Sequence, residues 1–185
     1  MHKTVLSLLL LGVVFSGCKK EQDPFEISKH HIGLLTDSTQ VKDLKTIFSN
    51  DSISKYISGD EFAGSVNNIE IFKKGGEKRL ILTPETTLDS TSVIESIQII
   101  DPQYKTAKGI STLSTFKDIT AAYKISKIDN LINSVVLSVK ELNASFVIDK
   151  KELPANLRFD LDLKFEETHI PDHAKIKYFF LIWND

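Results

Sequence analysis

With 23 Lys and Arg against 25 Asp and Glu, this 185-residue chain has a formal net charge of −2. Its two signs are interspersed, which argues against the basic stripe of a nucleic-acid binder and against a charged tail. A single cysteine excludes an internal disulfide framework, so the fold must stand on its apolar core, as a chain of this length can.

The chain opens on Met1-His2-Lys3, continues as an apolar run from Thr4 to Phe15 and reaches small residues at Ser16-Gly17, directly before Cys18. A positive start, an apolar stretch and a small-residue cut site are the parts of a cleaved export signal over residues 1–17. The run is shorter than the roughly 20 residues a spanning helix needs. Ser16-Gly17-Cys18 resembles the lipobox of bacterial lipoproteins, in which the cysteine sulfur receives a diacylglycerol, the signal is cut before it and the new amine is acylated. Phe15 is bulkier than the usual Leu or Val at its position. One acyl chain anchors only marginally, whereas two or three, at about 0.8 kcal/mol per buried methylene, hold firmly. The expected location is the cell envelope, lipid-anchored at the outer membrane, with the periplasmic and surface faces both left open. Residues 18–27 are expected to be the acylated cysteine and its tether. Lys19 to Pro24 is polar and reaches about 20 Å when extended, and its Lys20-Glu21 pair also resembles the surface-export signal of lipoproteins in the Bacteroidetes group.

Residues 28–185 are expected to be one α+β domain, carrying a weak internal repeat that divides it into units 28–104 and 105–185. Lys42-Asp43-Leu44 matches Lys117-Asp118-Ile119, Val41 matches Phe116, and Phe48 matches Tyr123. In both units apolar residues recur three or four apart, which predicts a short amphipathic helix. Thr115 with Asp118 fits a capping box. After the first helix the sequence predicts strands over Asn68–Lys73, Lys78–Thr83 and Val93–Ile100, the first two joined by a hairpin at Gly75-Gly76. After the second it predicts strands over Ser134–Lys140, Ala144–Asp149 and Lys175–Trp183. Alternating Phe159, Leu161, Leu163 and Phe165 suggest an additional edge strand. The expected architecture is two tandem helix-plus-three-strand units, the helices packed on an antiparallel sheet.

Ile32-Gly33-Leu34-Leu35-Thr36 with Thr39, Ile97 to Asp101, Thr106-Ala107-Lys108-Gly109-Ile110, Ser114 to Ile119 and Ile176 to Trp183 together resemble the envelope-stress-regulated bacterial lipoprotein family, a domain of unknown function. The resemblance spans almost all of the chain beyond the signal. Leu113-Ser114 stands where that family usually has Gly-Thr or Gly-Ser. The tandem pattern is more loosely similar to β-lactamase-inhibitor-like repeats and to small lipoproteins of the outer-membrane assembly machinery, both of which imply protein binding.

No residue pattern names a catalytic activity. There is no Gly-x-Ser-x-Gly elbow and no phosphate-cradling glycine loop, and Cys18 is assigned to the lipid. His169, Asp172 and His173, with Glu166 and Glu167 nearby and His30-His31 far upstream, are the candidate metal ligands. Pro171 forbids the helix that would bring the two histidines onto one face, and a solvated loop is the expected reading. No cofactor is expected. Lys73, Lys74, Lys78 and Arg79 cluster at the first hairpin, either as a charged edge that blocks strand pairing or as contacts to anionic lipid. The polar connections Glu85–Ser92 and Tyr104–Gly109 are the expected partner surfaces. The expected role is a non-catalytic binding or structural module of the cell envelope, partnered by the membrane through Cys18 and by an envelope protein or other envelope component, without nucleic acid. A small-ligand or lipid carrier and a metal-dependent enzyme are the alternatives.

Overall fold

A computed structural model describes residues 22–58 and 66–183; the export signal and Cys18 lie outside the described residues. In chain order the elements are β1 (Glu26–Ile27), β2 (His31–Ile32), β3 (Leu35–Thr36), α1 (Leu44–Ile47), β4 (Ser52–Ser58), β5 (Val66–Phe72), β6 (Lys78–Pro84), β7 (Ile94–Ile99), β8 (Lys105–Thr106), α2 (Phe116–Ala122), β9 (Lys127–Asn130), β10 (Ser134–Val139), β11 (Ala144–Asp149) and β12 (Ile176–Ile182). The fold is mixed α+β and mostly sheet.

Alternation of apolar and polar residues gives each long strand one buried face, and register aligns those faces across an antiparallel sheet ordered β4-β5-β6-β7-β12-β11-β10-β9. Ile71 lies opposite Leu80, Leu80 opposite Ile99, Ile99 opposite Phe179, Phe179 opposite Phe146, and Phe146 opposite Leu137. That row crosses six strands, all its members are buried, and the Phe146 and Phe179 rings meet at 4.4 Å. Cross-strand neighbours of this kind stabilise a sheet by roughly 0.2–1 kcal/mol each. Val41, Leu44 and Phe48 of the first helical segment and Phe116, Ile119 and Tyr123 of the second join the same core.

Each helix is followed by four strands of the large sheet among the described residues, not three. The additional strands, β4 and β9, are the two edges of the sheet. An edge strand is paired on one side only and is made polar against aggregation. Ser52-Ile53-Ser54 and Lys127-Ile128-Asp129-Asn130 accordingly carry one apolar residue each, Ile53 and Ile128, and both are only half-buried. The second set, β1, β2, β3 and β8, forms a small sheet of two-residue strands ordered β3-β2-β1-β8. Its Ile27, Ile32 and Leu35 are buried, so Phe25 to Ile27 belong to the packed fold and not to a solvated tether.

The two helices differ in how they start. Thr115 Oγ1 accepts from the Asp118 N–H, and Asp118 Oδ2 accepts from the Thr115 N–H at 2.8 Å, so the capping box forms. Those hydrogen bonds to Thr115 hold the Asp118 carboxyl below its ordinary range. Thr39 instead accepts from the Thr36 N–H at 2.9 Å, and nothing on the Gln40 side chain caps the next turn. The first segment accordingly starts as a tight 3₁₀ turn over Val41–Asp43 and leaves α1 only four residues. At the β5–β6 turn, Gly75 and Gly76 take φ of 118° and 93°, a region closed to side chains with a Cβ.

The edge strand expected over Phe159 to Phe165 does not form. Asp160 Oδ1 accepts from the N–H groups of Asp162 and Leu163, both at 3.0 Å, and the Asn130 side-chain amide donates to the carbonyls of Asp160, Leu161 and Leu163. The donors and acceptors a strand would offer its neighbour are consumed locally. Phe159 and Leu161 point to solvent in consequence, 87% and 56% exposed.

Candidate functional site

Two corners at one end of the large sheet concentrate the polar side chains the core does not explain. The first forms where β6 begins and β7 ends. Arg79 stands between Asp51 and Asp101, with Nη1 at 3.3 Å from Asp51 Oδ2 and Nε at 3.5 Å from Asp101 Oδ2, all three side chains largely buried. Its guanidinium lies 5.3 Å from the centre of the Phe25 ring, which in turn meets Tyr104 edge-on at 5.2 Å. Burial pushes the Tyr104 hydroxyl up to about 12. Gly33 closes this corner with φ of 55°, and a Cβ there would sit 2.2 Å from the Pro24 carbonyl oxygen. The arrangement pairs its charges and fixes the incoming chain at Pro24–Phe25.

The second corner is an open cleft of about 540 Å³ at the ends of β9, β11 and the start of β12, lined by Ile132, Asn133, Asp149, Lys150, Lys151, Arg158, Phe159 and Lys177. Asp149 caps the turn that follows β11 by accepting from the Lys151 N–H at 3.0 Å, and it accepts from Lys177 Nζ at 2.8 Å. The bond to Lys177, then that to Lys151, holds its carboxyl below the ordinary range. The Lys150 N–H donates to the Asn133 carbonyl at 3.0 Å, tying the β9–β10 turn to this one. Arg158 donates from Nε to the Leu153 carbonyl and from Nη2 to the Lys151 carbonyl. Lys150 itself is 4% exposed. Its Nζ has no hydrogen-bond partner among the described residues and lies 5.8 Å from the centre of the Phe165 ring.

Among the described residues no three His, Cys, Asp or Glu side chains gather as a metal-ligand set. His169 Nδ1 accepts from the Glu166 N–H at 3.1 Å and its ring stands edge-on to Phe165. Asp172 pairs with Lys117 at the surface at 3.3 Å, and His173 is exposed. His30 pairs with Asp37, and His31 with Ser28. The basic cluster of the first hairpin is also divided: Lys78 pairs with Glu70, Arg79 is drawn into the first corner, and only Lys73 and Lys74 remain exposed at the tip.

The chain is similar in fold to one solved structure in particular. The uncharacterized protein YfeY from Escherichia coli superposes with a TM-score of 0.58 at 14% sequence identity, over 85% of this chain and 99% of that one. At that identity the likeness speaks for the fold alone. No family model and no curated protein matches the chain.

The expected partner loops fare differently. Tyr104 is buried and Lys105–Thr106 form β8 beside β1, so Tyr104–Gly109 is partly built into the small sheet. Glu85–Ser92 is an exposed turn at the opposite end of the sheet, organised by Asp89, which accepts from the Thr91 N–H and hydroxyl, and by Ser92, which accepts from the Thr86 N–H. Sequence reasoning passed over Lys150 and Ile132 and assigned Phe159 to an edge strand. The available signal was apolar residues inside turns: Leu131-Ile132 between two short strands, and Phe159 beside Asp160 and Asp162.

Proposed function

We propose that the chain is a lipid-anchored, non-catalytic binding or structural module of the cell envelope, tethered at the outer membrane through Cys18 and partnered by another envelope component. The observation that carries this reading is the rim of the second corner. Ile132 and Phe159, 74% and 87% exposed, flank a cleft whose buried Lys150 ammonium lacks an acceptor among the described residues. Exposed apolar side chains gathered at a cleft mark interaction surfaces, and a buried unpaired charge is costly unless something supplies its counter-charge. A carrier reading needs a cavity between helices and sheet, and Leu44, Phe48, Phe116, Ile119 and Tyr123 join the strands in one packed core there.

The order of elements supports the finer architecture. Each helix precedes a four-stranded meander, and the meanders meet at their last strands, β7 and β12. We read this as two tandem units sharing one plan, in keeping with the resemblance to the lipoprotein family of unknown function.

Cross-linking of the acylated protein in its own envelope, followed by affinity recovery and mass spectrometry, tests the role. The expected result is one envelope component recovered repeatedly with the native protein and lost with Cys18→Ala. Equal recovery with and without the cysteine, or no enrichment at all, contradicts it.

A further inference from the structure

Register places both corners on the same end of the sheet. β7 ends at Ile99 opposite Leu80 and Phe179, β11 ends at Asp149 opposite Ser134, and β12 starts at Ile176 opposite Ile148. The corner that receives the N-terminal chain at Phe25 and the Lys150 cleft are therefore separated by about two strand spacings between β7 and β11, ~10 Å. Gln22, the first described residue, is four residues from Cys18, a reach of about 14 Å at most. A lipid on Cys18, which is the anchored reading proposed above, brings the bilayer to this end of the molecule. The same end exposes Lys73 and Lys74, with Glu77, at the β5–β6 tip.

The cleft has the composition of a bilayer interface. Lys150, Lys151, Arg158 and Lys177 line the cleft with a single carboxylate, Asp149, which Lys177 and the Lys151 backbone already occupy, while Arg158 is turned onto the Leu153 and Lys151 carbonyls. Of the neighbouring loop carboxylates, Asp160 is turned onto its own backbone and Asp162 is exposed. Ile132 and Phe159 project from two loops at the rim. Apolar side chains beside cations that attract anionic headgroups are what holds a surface at the headgroup–acyl boundary. Lys150 adds what a merely charged rim lacks, a buried ammonium with a ring on one side and no acceptor among the described residues.

We infer that this end of the sheet docks on the membrane that carries the Cys18 lipid, with Ile132 and Phe159 entering the headgroup–acyl boundary and the phosphate of an anionic phospholipid lying in the Lys150 cleft.

The test uses the acylated full-length product, its Cys18 lipid verified by mass spectrometry, in phosphatidylcholine vesicles. A Phe159→Trp substitution reports contact with a small fraction of brominated phosphatidylglycerol or brominated phosphatidylcholine. Trp183, at the far end of β12, is the internal control. The expected result is quenching of the introduced indole but not of Trp183, stronger with the brominated anionic lipid. Lys150→Met reduces that headgroup preference about fivefold, the share of one lysine near an anionic surface. An unquenched indole on a protein whose Cys18 is acylated overturns the docking face while leaving the anchor intact. Equal quenching by both lipids, or a preference unmoved by Lys150→Met, overturns the headgroup site. A photoreactive side chain in place of Phe159 that captures protein instead of lipid also overturns the inference. Absence of lipid on Cys18 overturns the anchored reading and the inference with it.

Discussion

Arg79 and Lys150 occupy comparable surroundings at the same end of one sheet, each beside an aromatic ring and close to carboxylates, yet among the described residues only Arg79 is paired. Arg79 has Asp51 and Asp101 on two sides and Phe25 under its guanidinium. Lys150 has Phe165 at 5.8 Å, while its chain neighbour Asp149 is spent on Lys177 and a backbone N–H. The first corner closes on the incoming chain, and its cation has two carboxylates in ion-pair range, although Arg79 Nε makes no hydrogen bond among the described residues. The second leaves a cation without an acceptor among the described residues, under a cleft whose rim carries the exposed Ile132 and Phe159. A buried charge that is paired stabilises its surroundings against loss of either partner, whereas one that is unpaired lowers stability until a counter-charge arrives.

Mutating the two cations should give effects of opposite sign. Arg79→Met leaves Asp51 and Asp101 facing each other without their cation and is expected to cost about 3–5 kcal/mol in urea unfolding; a loss below ~1 kcal/mol would mean that the corner is not held by charge. Gly33→Ala forces a Cβ into the positive-φ region and onto the Pro24 carbonyl. It should cost about 1–3 kcal/mol, seen as a lowered Tm together with faster proteolysis before Phe25. Lys150→Met removes an ammonium that has no acceptor among the described residues and should leave stability unchanged or raise it by ~1 kcal/mol or more. A loss like that of Arg79→Met would show that Lys150 is satisfied within the fold.

Tyr104 sharpens the contrast through pH. Its folded-state value is raised to about 12 from an ordinary 10, so between those values the folded protein retains a proton that the unfolded chain has released. Stability is fully present below pH 10 and should fall as pH rises toward 12; the decline should be shallower in Tyr104→Phe, and identical profiles for the two proteins would remove this burial from the account. The smallest effect is expected at the cleft rim. Phe159→Ser should change unfolding by no more than about 0.5 kcal/mol, as an exposed position allows, and a larger loss in thermal unfolding would place Phe159 in the core.

Much of the sheet was legible in the residues. Strands β5, β6, β10 and β11 bury alternate positions, and β7 and β12 do so after one irregular step near their starts, so they carry their period in the sequence, and Thr115 with Asp118 announces its helix start. The edges were not legible, because β4 and β9 owe their place to neighbours far along the chain and keep a polar face toward solvent. The small sheet was hidden for a related reason: two-residue strands have no period to read. Phe159, Leu161 and Leu163 alternate convincingly, yet Asp160 and Asn130 capture the backbone groups that pairing would have used. The cleft was the least legible part. Lys150 is one lysine in a run of charged residues, and nothing local says that the fold buries it while Lys151 stays exposed.

The most direct test of the account labels the two ends of the sheet. Ile132→Cys and Leu88→Cys each place a thiol where the native side chain is exposed, 74% and 75%, the first beside the Lys150 cleft and the second at the opposite end. With Cys18 acylated and the protein in phosphatidylglycerol-containing vesicles, a water-soluble maleimide should modify Leu88→Cys at its detergent-free solution rate and Ile132→Cys at least several-fold more slowly. Equal labelling of the two thiols would contradict the account.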